Sequence, residues 1–383
     1  MDFELDDEQK LLRDTTRELL ARTYDAASLA AVKATPRGWS EDMWRRLAET
    51  GLLGLGFADE DGGSDAGPIE VGIVMGELGR RLAPEPLLDC VLVPGRLVAD
   101  AGSAAQRGKL LPAVVGGELL LAFAHAEPGV RWPAVDVATR AVRQGDSWSV
   151  TGIKNPVPHG GCADVLVVSA TLPGGGVGLF LVAGDAVGVT RRTYATHDER
   201  RGAQVEFVEA TAEPLGDTAA GVPDDAIATI RSAHVYAQAA LCAEAVGAME
   251  EALRLTVDYL RTRKQFGVPL STFQALTHRA ADMYVALELA RSMSLYATMS
   301  LADGVADPMA ASRAKLTVDR SARLIGQESI QMHGGIGMTA EYAVGHYVSR
   351  LTAIGHTLGS IDDHVRVLAA DVAGHDMVDV TGG

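Results

Sequence analysis

Hydrophobic and polar positions along the chain fall into three regimes. In the first, to about residue 120, the apolar positions recur at helical spacing. "LDDEQKLLRDTTRELLAR" places Leu11, Leu12, Leu19 and Leu20 between charges, the pattern of an amphipathic helix with an acidic first turn. "SEDMWRRLAETGLLGLG" predicts a second helix, with Ser40 as N-cap and Gly51 near its stop. "DEDGGSDAG" reads as a loop, and "PIEVGIVMGELGRRLAP" as a helix closed by Pro84.

From about 121 to 222 the pattern changes to short Val-rich runs bounded by Gly or Pro. "SWSVTG", "ADVLVVSAT", "GVGLFLVAG" and "AQVEFVEA" predict strands joined by turns. From about 223 helical spacing returns in long stretches. One runs through "AIATIRSAHVYAQAALCAEAVGAMEEALRLTVDYLRTRKQF", a second begins at "FQALTHRAADM" and a third at "PMAASRAKLTV". Helices of that length favour an antiparallel bundle. The expected fold class is therefore α+β, with an N-terminal helical domain (1–120), a middle β-barrel-like domain (121–222) and a C-terminal four-helix bundle (223–383).

Composition changes this picture in two ways. A formal net charge of −16 over 383 residues repels phosphate backbones, so nucleic acid is not an expected partner. Cys90, Cys162 and Cys242 are scattered, with no C-x-x-C pair or Cys/His cluster, which predicts reduced thiols and no metal site. The acidic start "MDFELDDEQK" lacks an apolar signal core, and no apolar run reaches the roughly 18 residues of a membrane span. A cytoplasmic location is expected.

Two C-terminal stretches carry the chemistry. "RTRKQFGVPLSTFQALTHRAADM" and "QMHGGIGMTAEY" closely resemble the two signatures of the acyl-CoA dehydrogenase family of flavoproteins, and "DDEQKLLRD" and "GLLGLGFADEDGG" fit its N-terminal region. The resemblance implies FAD as cofactor, an acyl-CoA or acyl carrier protein thioester as substrate, an electron-transfer partner and a homo- or heterotetramer. It implies that Arg263, on the last helical turn before "FG", reaches the FAD phosphates, with Phe266 packing on the cofactor and Gln274 in the same pattern. A guanidinium suits a pyrophosphate because it forms charge-assisted, bidentate hydrogen bonds. Gln331, Gly334 and Gly335 are implied to contact FAD held by the neighbouring subunit, the glycines allowing close backbone approach.

The resemblance also implies what this chain lacks. The family removes an α-proton next to a thioester carbonyl with a sheltered glutamate of raised pKa, while a β-hydride goes to the flavin. That glutamate usually sits in a "YEGT" motif. Here the register gives "HTLGS", with Leu358 at the glutamate position. Relatives that carry the base on the helix before "RTRKQFG" place it at the position of Ala237. The nearest carboxylate is Glu244, seven residues on, on the same helix face but about 10 Å along the axis. Glu244 is thus the candidate base, against the reading that it is a buried or interfacial salt-bridging residue. His356, Asp362 and Asp363 are the other nearby candidates; the two aspartates are expected to start a helix through "HVRVLAADV".

The β-region departs too. The family's "TEPGAGSD" becomes "AEPGVRWPAVD", with Trp132–Pro133 at the "SD" position. Its "GxKxWITNG" becomes "GIKNPVPHGG", with Pro156 and Pro158 at the Trp and Thr positions that touch the flavin. Proline brings neither a hydroxyl nor an N–H. Together these features resemble a bacterial subgroup in which two different subunits form a heterotetramer and one lacks the base. The expected function is a flavoprotein subunit in α,β-desaturation of an acyl-CoA. The alternatives are a self-sufficient dehydrogenase using Glu244, a non-catalytic structural subunit, and a flavin enzyme of another reaction.

Overall fold

A computed structural model describes residues 4–134, 137–145, 147–217, 225–339 and 342–372. The N-terminal helices are α1 (Asp7–Thr23), α2 (Ala26–Lys33), α3 (Glu41–Glu49), α4 (Pro68–Arg81), α5 (Val93–Ala101) and α6 (Ala104–Val115). Ser40 caps α3 as its side chain predicts, accepting from the Met43 N–H at 3.2 Å. Gly51, just past its end, takes φ +75°. Between α4 and α5 lies a π-helical turn, Leu87–Leu92, that no sequence pattern announced.

The strands are β1 (Leu121–Ala124), β2 (Arg140–Gln144), β3 (Ser147–Pro158), β4 (Val165–Thr171), β5 (Val177–Ala183), β6 (Val189–Ala195) and β7 (Arg201–Pro214). β4 pairs with β2, β2 with β3, β3 with β7, β7 with β5 and β5 with β4, so the sheet closes on itself. β5 is buried on both faces at Val177–Val182, which is why "GVGLFLV" reads as a continuous apolar run rather than an alternation. β3 continues through Pro156 and Pro158, well past the "SWSVTG" run that predicts it. The ladder to β7 shifts register between Lys154 and Val157, and that irregularity absorbs a residue without an N–H. The barrel has its own core, with Trp148 packed on Phe180 at 5.4 Å beside Val150 and Phe207.

The C-terminal helices are α7 (Ile227–Thr262), α8 (Gln274–Ala302), α9 (Pro308–His333), α10 (Val344–Ile354) and α11 (Ile361–Val372). The boundary expected at 222/223 falls outside the described residues. α7 spans 36 residues and stops at Arg263, which is extended rather than on the last turn. Lys264–Gln265 instead pairs with Val268–Pro269 in a small hairpin whose tip is Phe266 and Gly267, both at positive φ. α4 crosses α7 at very short range. A Cβ on Gly79 would lie 2.0 Å from the Glu244 carbonyl oxygen, and one on Gly247 would lie 1.9 Å from that of Gly76. Only glycine fits at such a crossing, and this contact seats α7 against the rest of the chain. Among the described residues no helix is long and apolar enough to cross a membrane.

Candidate active site

The turn between α10 and α11 carries the position where a base is expected. Leu358 sits there in the left-handed region at φ +55°, and its carbonyl accepts from Gln238 Nε2 of α7 at 3.1 Å. The neighbouring Gly359 has φ +102°, and a Cβ on it would come within 2.8 Å of both the Trp132 ring and His364 Nε2. Trp132, from the loop after β1, packs on His364 at 4.6 Å between ring centroids. The β-region thus lays a large aromatic side chain against the loop that would carry the catalytic carboxylate. Gly359→Ala is expected to destabilise the chain by about 1–3 kcal/mol through the φ strain and the clash, with a shift in Trp fluorescence as Trp132 moves.

The other candidates are engaged or turned outward. Asp363 caps α11 with Ser360, whose N–H and hydroxyl both donate to its carboxylate at 3.0 and 2.7 Å. Asp362 and His356 are exposed. Ala237 lines an apolar cavity of about 110 Å³ with Phe57, Val71, Leu88 and Leu92; Arg96 stands at its edge, its guanidinium 4.3 Å over the Tyr236 ring.

Glu244 is a buried ion-pair partner. It is 1% exposed. Arg350 of α10 donates to it from Nε at 2.8 Å and from Nη2 at 2.7 Å, a bidentate fork. Arg200, between β6 and β7, donates to Oε1 from Nη2 at 2.7 Å. Asp198 completes the group, accepting from Arg350 Nη1 at 2.7 Å. Burial alone would raise the Glu244 pKa, but the charges of Arg200 and Arg350 outweigh it and hold the carboxyl below its usual range. A general base needs the opposite. Two arginines thus hold the oxygens of Glu244, the candidate base, and the field around it keeps protons off. The quartet joins α7, α10 and the β6–β7 turn, and no local motif signalled it.

Above this quartet opens a cavity of about 430 Å³ between the barrel and the C-terminal helices. Pro156, Pro158 and His159 line it on the barrel side, and Leu241, Ala353, His356 and Thr357 on the other. His159 is buried, and neither ring nitrogen has a hydrogen-bond partner; Asp89 Oδ2 lies 3.8 Å from Nε2. Glu127 and Lys154 form a buried ion pair. Lys154 Nζ, inside the barrel, donates to Glu127 Oε1 at 2.9 Å, to the His125 carbonyl at 3.1 Å and to Ser169 Oγ at 3.1 Å. Glu127 also accepts from the Ala138 and Thr139 N–H groups, at 2.6 and 2.9 Å. Burial opposes its ionisation, yet the Thr139 and Lys154 hydrogen bonds bring its pKa down to about 2, and Asp198 is likewise held at about 2 against burial by Arg350 and Arg200. Both folded values lie below the ordinary 4.5 and 3.8. Their stabilisation is full above the ordinary values and is lost as pH falls towards 2. The urea midpoint is expected to drop between about pH 4.5 and 2, and Glu127→Gln should flatten that slope.

The remaining predicted positions share one exposed end of the bundle. Arg263, Phe266, Gln274, Gln331, Gly334 and Gly335 are all exposed, Phe266 at 92%. The C-terminal ends of α7 and α9 meet there, with Tyr259 on His333 at 4.5 Å and His333 on Tyr342 at 4.8 Å. Gly334 has φ +64°, and a Cβ on it or on Gly335 would meet nothing within 4 Å. Tyr284, Val285 and Leu289 on the outer face of α8, and Ile336 and Met338 after α9, are large apolar side chains left to solvent.

Sequence profiles of the acyl-CoA dehydrogenase N-terminal and C-terminal domains match residues 6–118 and 228–372. The chain is 32% identical over 373 residues to the acyl-CoA dehydrogenase IpdE2 of Mycobacterium tuberculosis, covering 96% of this chain and 98% of that protein. Among solved structures it is similar to a variant of the Tcur3481–Tcur3483 steroid ACAD, with 33% identity, a TM-score of 0.87 and coverage of 96% and 98%. The ChsE4–ChsE5 complex from Mycobacterium tuberculosis shares the fold, with a TM-score of 0.89, 23% identity and coverage of 98% and 100%.

Proposed function

The chain belongs to the acyl-CoA dehydrogenase family, FAD-dependent oxidoreductases acting on CH–CH groups, and from that premise we propose that it is a subunit supplying half of a cofactor site but no catalytic base. The observation that carries the reading is the apolar occupancy of both carboxylate positions, Leu358 and Ala237, with the nearest glutamate locked between two arginines. A leucine accepts no proton, and an ion-paired carboxylate of lowered pKa accepts one poorly. The base would come from a second, related subunit.

The residues present fit FAD unequally. At the exposed end, Arg263 offers a guanidinium, Gln274 and Gln331 offer amides, Phe266 offers an aromatic face, and Gly334–Gly335 leaves open backbone. That set suits a pyrophosphate and adenosine approaching from outside the chain. The chain's own 430 Å³ cavity is roomy enough for a ring system, but Pro156 and Pro158 remove hydrogen-bond donors from its barrel edge. When bound, FAD supplies the acceptor for the β-hydride. This chain's part is to hold the phosphates through Arg263 and to approach the cofactor with Gly334 and Gly335.

The exposed apolar side chains Tyr284, Val285 and Leu289 of α8 suit burial against a homologous bundle. A heterotetramer fits these features, and the two-name complexes among its structural neighbours support the same reading. The acyl group to try first is steroid-derived, from the steroid ACAD to which the chain is 33% identical.

The test is an anaerobic visible spectrum of the chain alone and of the chain co-purified with a base-bearing relative. A colourless chain alone, with a yellow complex that an acyl-CoA bleaches, is the expected result. Bleaching of the chain alone would overturn the reading and return the search to a base within it.

A further inference from the structure

A single charged side chain borders the apolar cavity of about 110 Å³. The cavity lies where α4, the π-helical turn Leu87–Leu92, α5, α7 and α8 meet. Val71, Leu88 and Leu301 wall it, and Ala233, Ala237 and Ala240 of α7 leave it open because their side chains are too short to fill it. The Thr298 hydroxyl on the α8 side is already engaged, donating to the Ser294 carbonyl at 3.0 Å. An apolar void of about 150 Å³ accepts a benzene ring, so this one suits an apolar body of about five carbons.

The charged group is Arg96 of α5, and two contacts fix its guanidinium. Nε donates to Asp100 Oδ2, one turn on, at 2.7 Å, and the guanidinium carbon lies 4.3 Å from the centre of the Tyr236 ring. The first contact occupies one donor and the second occupies none, because stacking uses the face of the group and not its N–H edge. Among the described residues the two Nη groups therefore have no hydrogen-bond partner. The Arg96 side chain is 32% exposed, so it reaches solvent as well as the cavity. A guanidinium with a free Nη edge takes a carboxylate through two parallel, charge-assisted hydrogen bonds.

We infer that this cavity binds a short-chain carboxylate, with an apolar chain of about five carbons inside and the carboxylate on the Arg96 Nη groups at the edge. Selection comes from the head group. A neutral analogue buries the same carbons but leaves the guanidinium without its charged partner. The same chemistry belongs to a free short-chain acid and to the far end of an acyl chain whose other end is a thioester. The site requires neither a catalytic base nor a flavin in this chain, so it stands apart from the proposed function.

The test titrates the full chain with two matched pairs by ligand-observed NMR: hexanoate against hexanamide, and adipoyl-CoA against hexanoyl-CoA. Within each pair the carbon skeleton is the same and only the charge of one end differs. Hexanoate is expected to bind saturably and at least about tenfold more tightly than hexanamide, the gain of a charge-assisted contact over a neutral one. Arg96→Gln should bring hexanoate down to the level of hexanamide and leave hexanamide unchanged. Ala237→Leu, which fills the cavity, should abolish the binding of both. Arg96→Gln lies at a partly exposed position and keeps the inference testable if the core variant does not fold. A preference for adipoyl-CoA of about tenfold that Arg96→Gln removes would assign the carboxylate to the far end of an acyl chain. Equal binding of the two thioesters, with the hexanoate preference intact, would assign it to a free acid. If neither carboxylate binds more tightly than its neutral analogue, or if the preference survives Arg96→Gln, the inference is overturned.

Discussion

Glu244→Ala is expected to destabilise the folded chain by about 3–5 kcal/mol, because it removes one partner of a buried charge group. Arg200 and Arg350 would then share Asp198 alone, and the Arg350 fork would lose both of its glutamate acceptors. The loss should appear as a lower urea midpoint with the slope unchanged. Glu244→Gln keeps the shape, removes the charge and should cost less. The same variant separates structure from catalysis. In an active complex, Glu244→Gln should lower stability while the chemical step continues at an unchanged rate per bound flavin. Abolished turnover with stability and flavin content intact would make Glu244 the base after all.

Arg263→Ala is the second large expected effect. In a complex of this chain with a base-bearing partner, it should weaken FAD binding about 10–100-fold, the worth of one or two charge-assisted hydrogen bonds to phosphate. The thermal stability of the chain alone should stay unchanged, since Arg263 lies exposed beyond the end of α7. FAD released on dilution, followed by its fluorescence, gives the affinity directly. Unchanged retention in the complex would show that the cofactor phosphates are held elsewhere. Gly335→Val should act in the same direction through lost backbone approach, again without effect on the isolated chain, because the position faces open space.

Much of the architecture was legible because local rules governed it. Ser40 caps α3 because its hydroxyl reaches the Met43 N–H whatever the rest of the chain does. The Val-rich runs form strands because β-branched side chains pack well on a pleated surface. β6 escaped notice because it is a mostly exposed strand without apolar alternation. β3 runs beyond the "SWSVTG" that predicts it, because the irregular pairing with β7 lets the ladder continue through Pro156 and Pro158. The π-helical turn follows from packing rather than from its composition.

The site divides along the same line. That Leu358 and Ala237 hold no carboxylate depends only on identity at a matched position, so it could be read before any fold was known. Arg263, Phe266, Gln274, Gln331, Gly334 and Gly335 were matched to the family's pattern in the same way. What Glu244 does became clear only from the folded chain. Its partners lie 44 and 106 residues away along the sequence, and a carboxyl group's proton affinity is set by the charges beside it in space. The wedge of Trp132 against Gly359 was hidden for the same reason: sequence records which groups exist, and folding decides which of them meet.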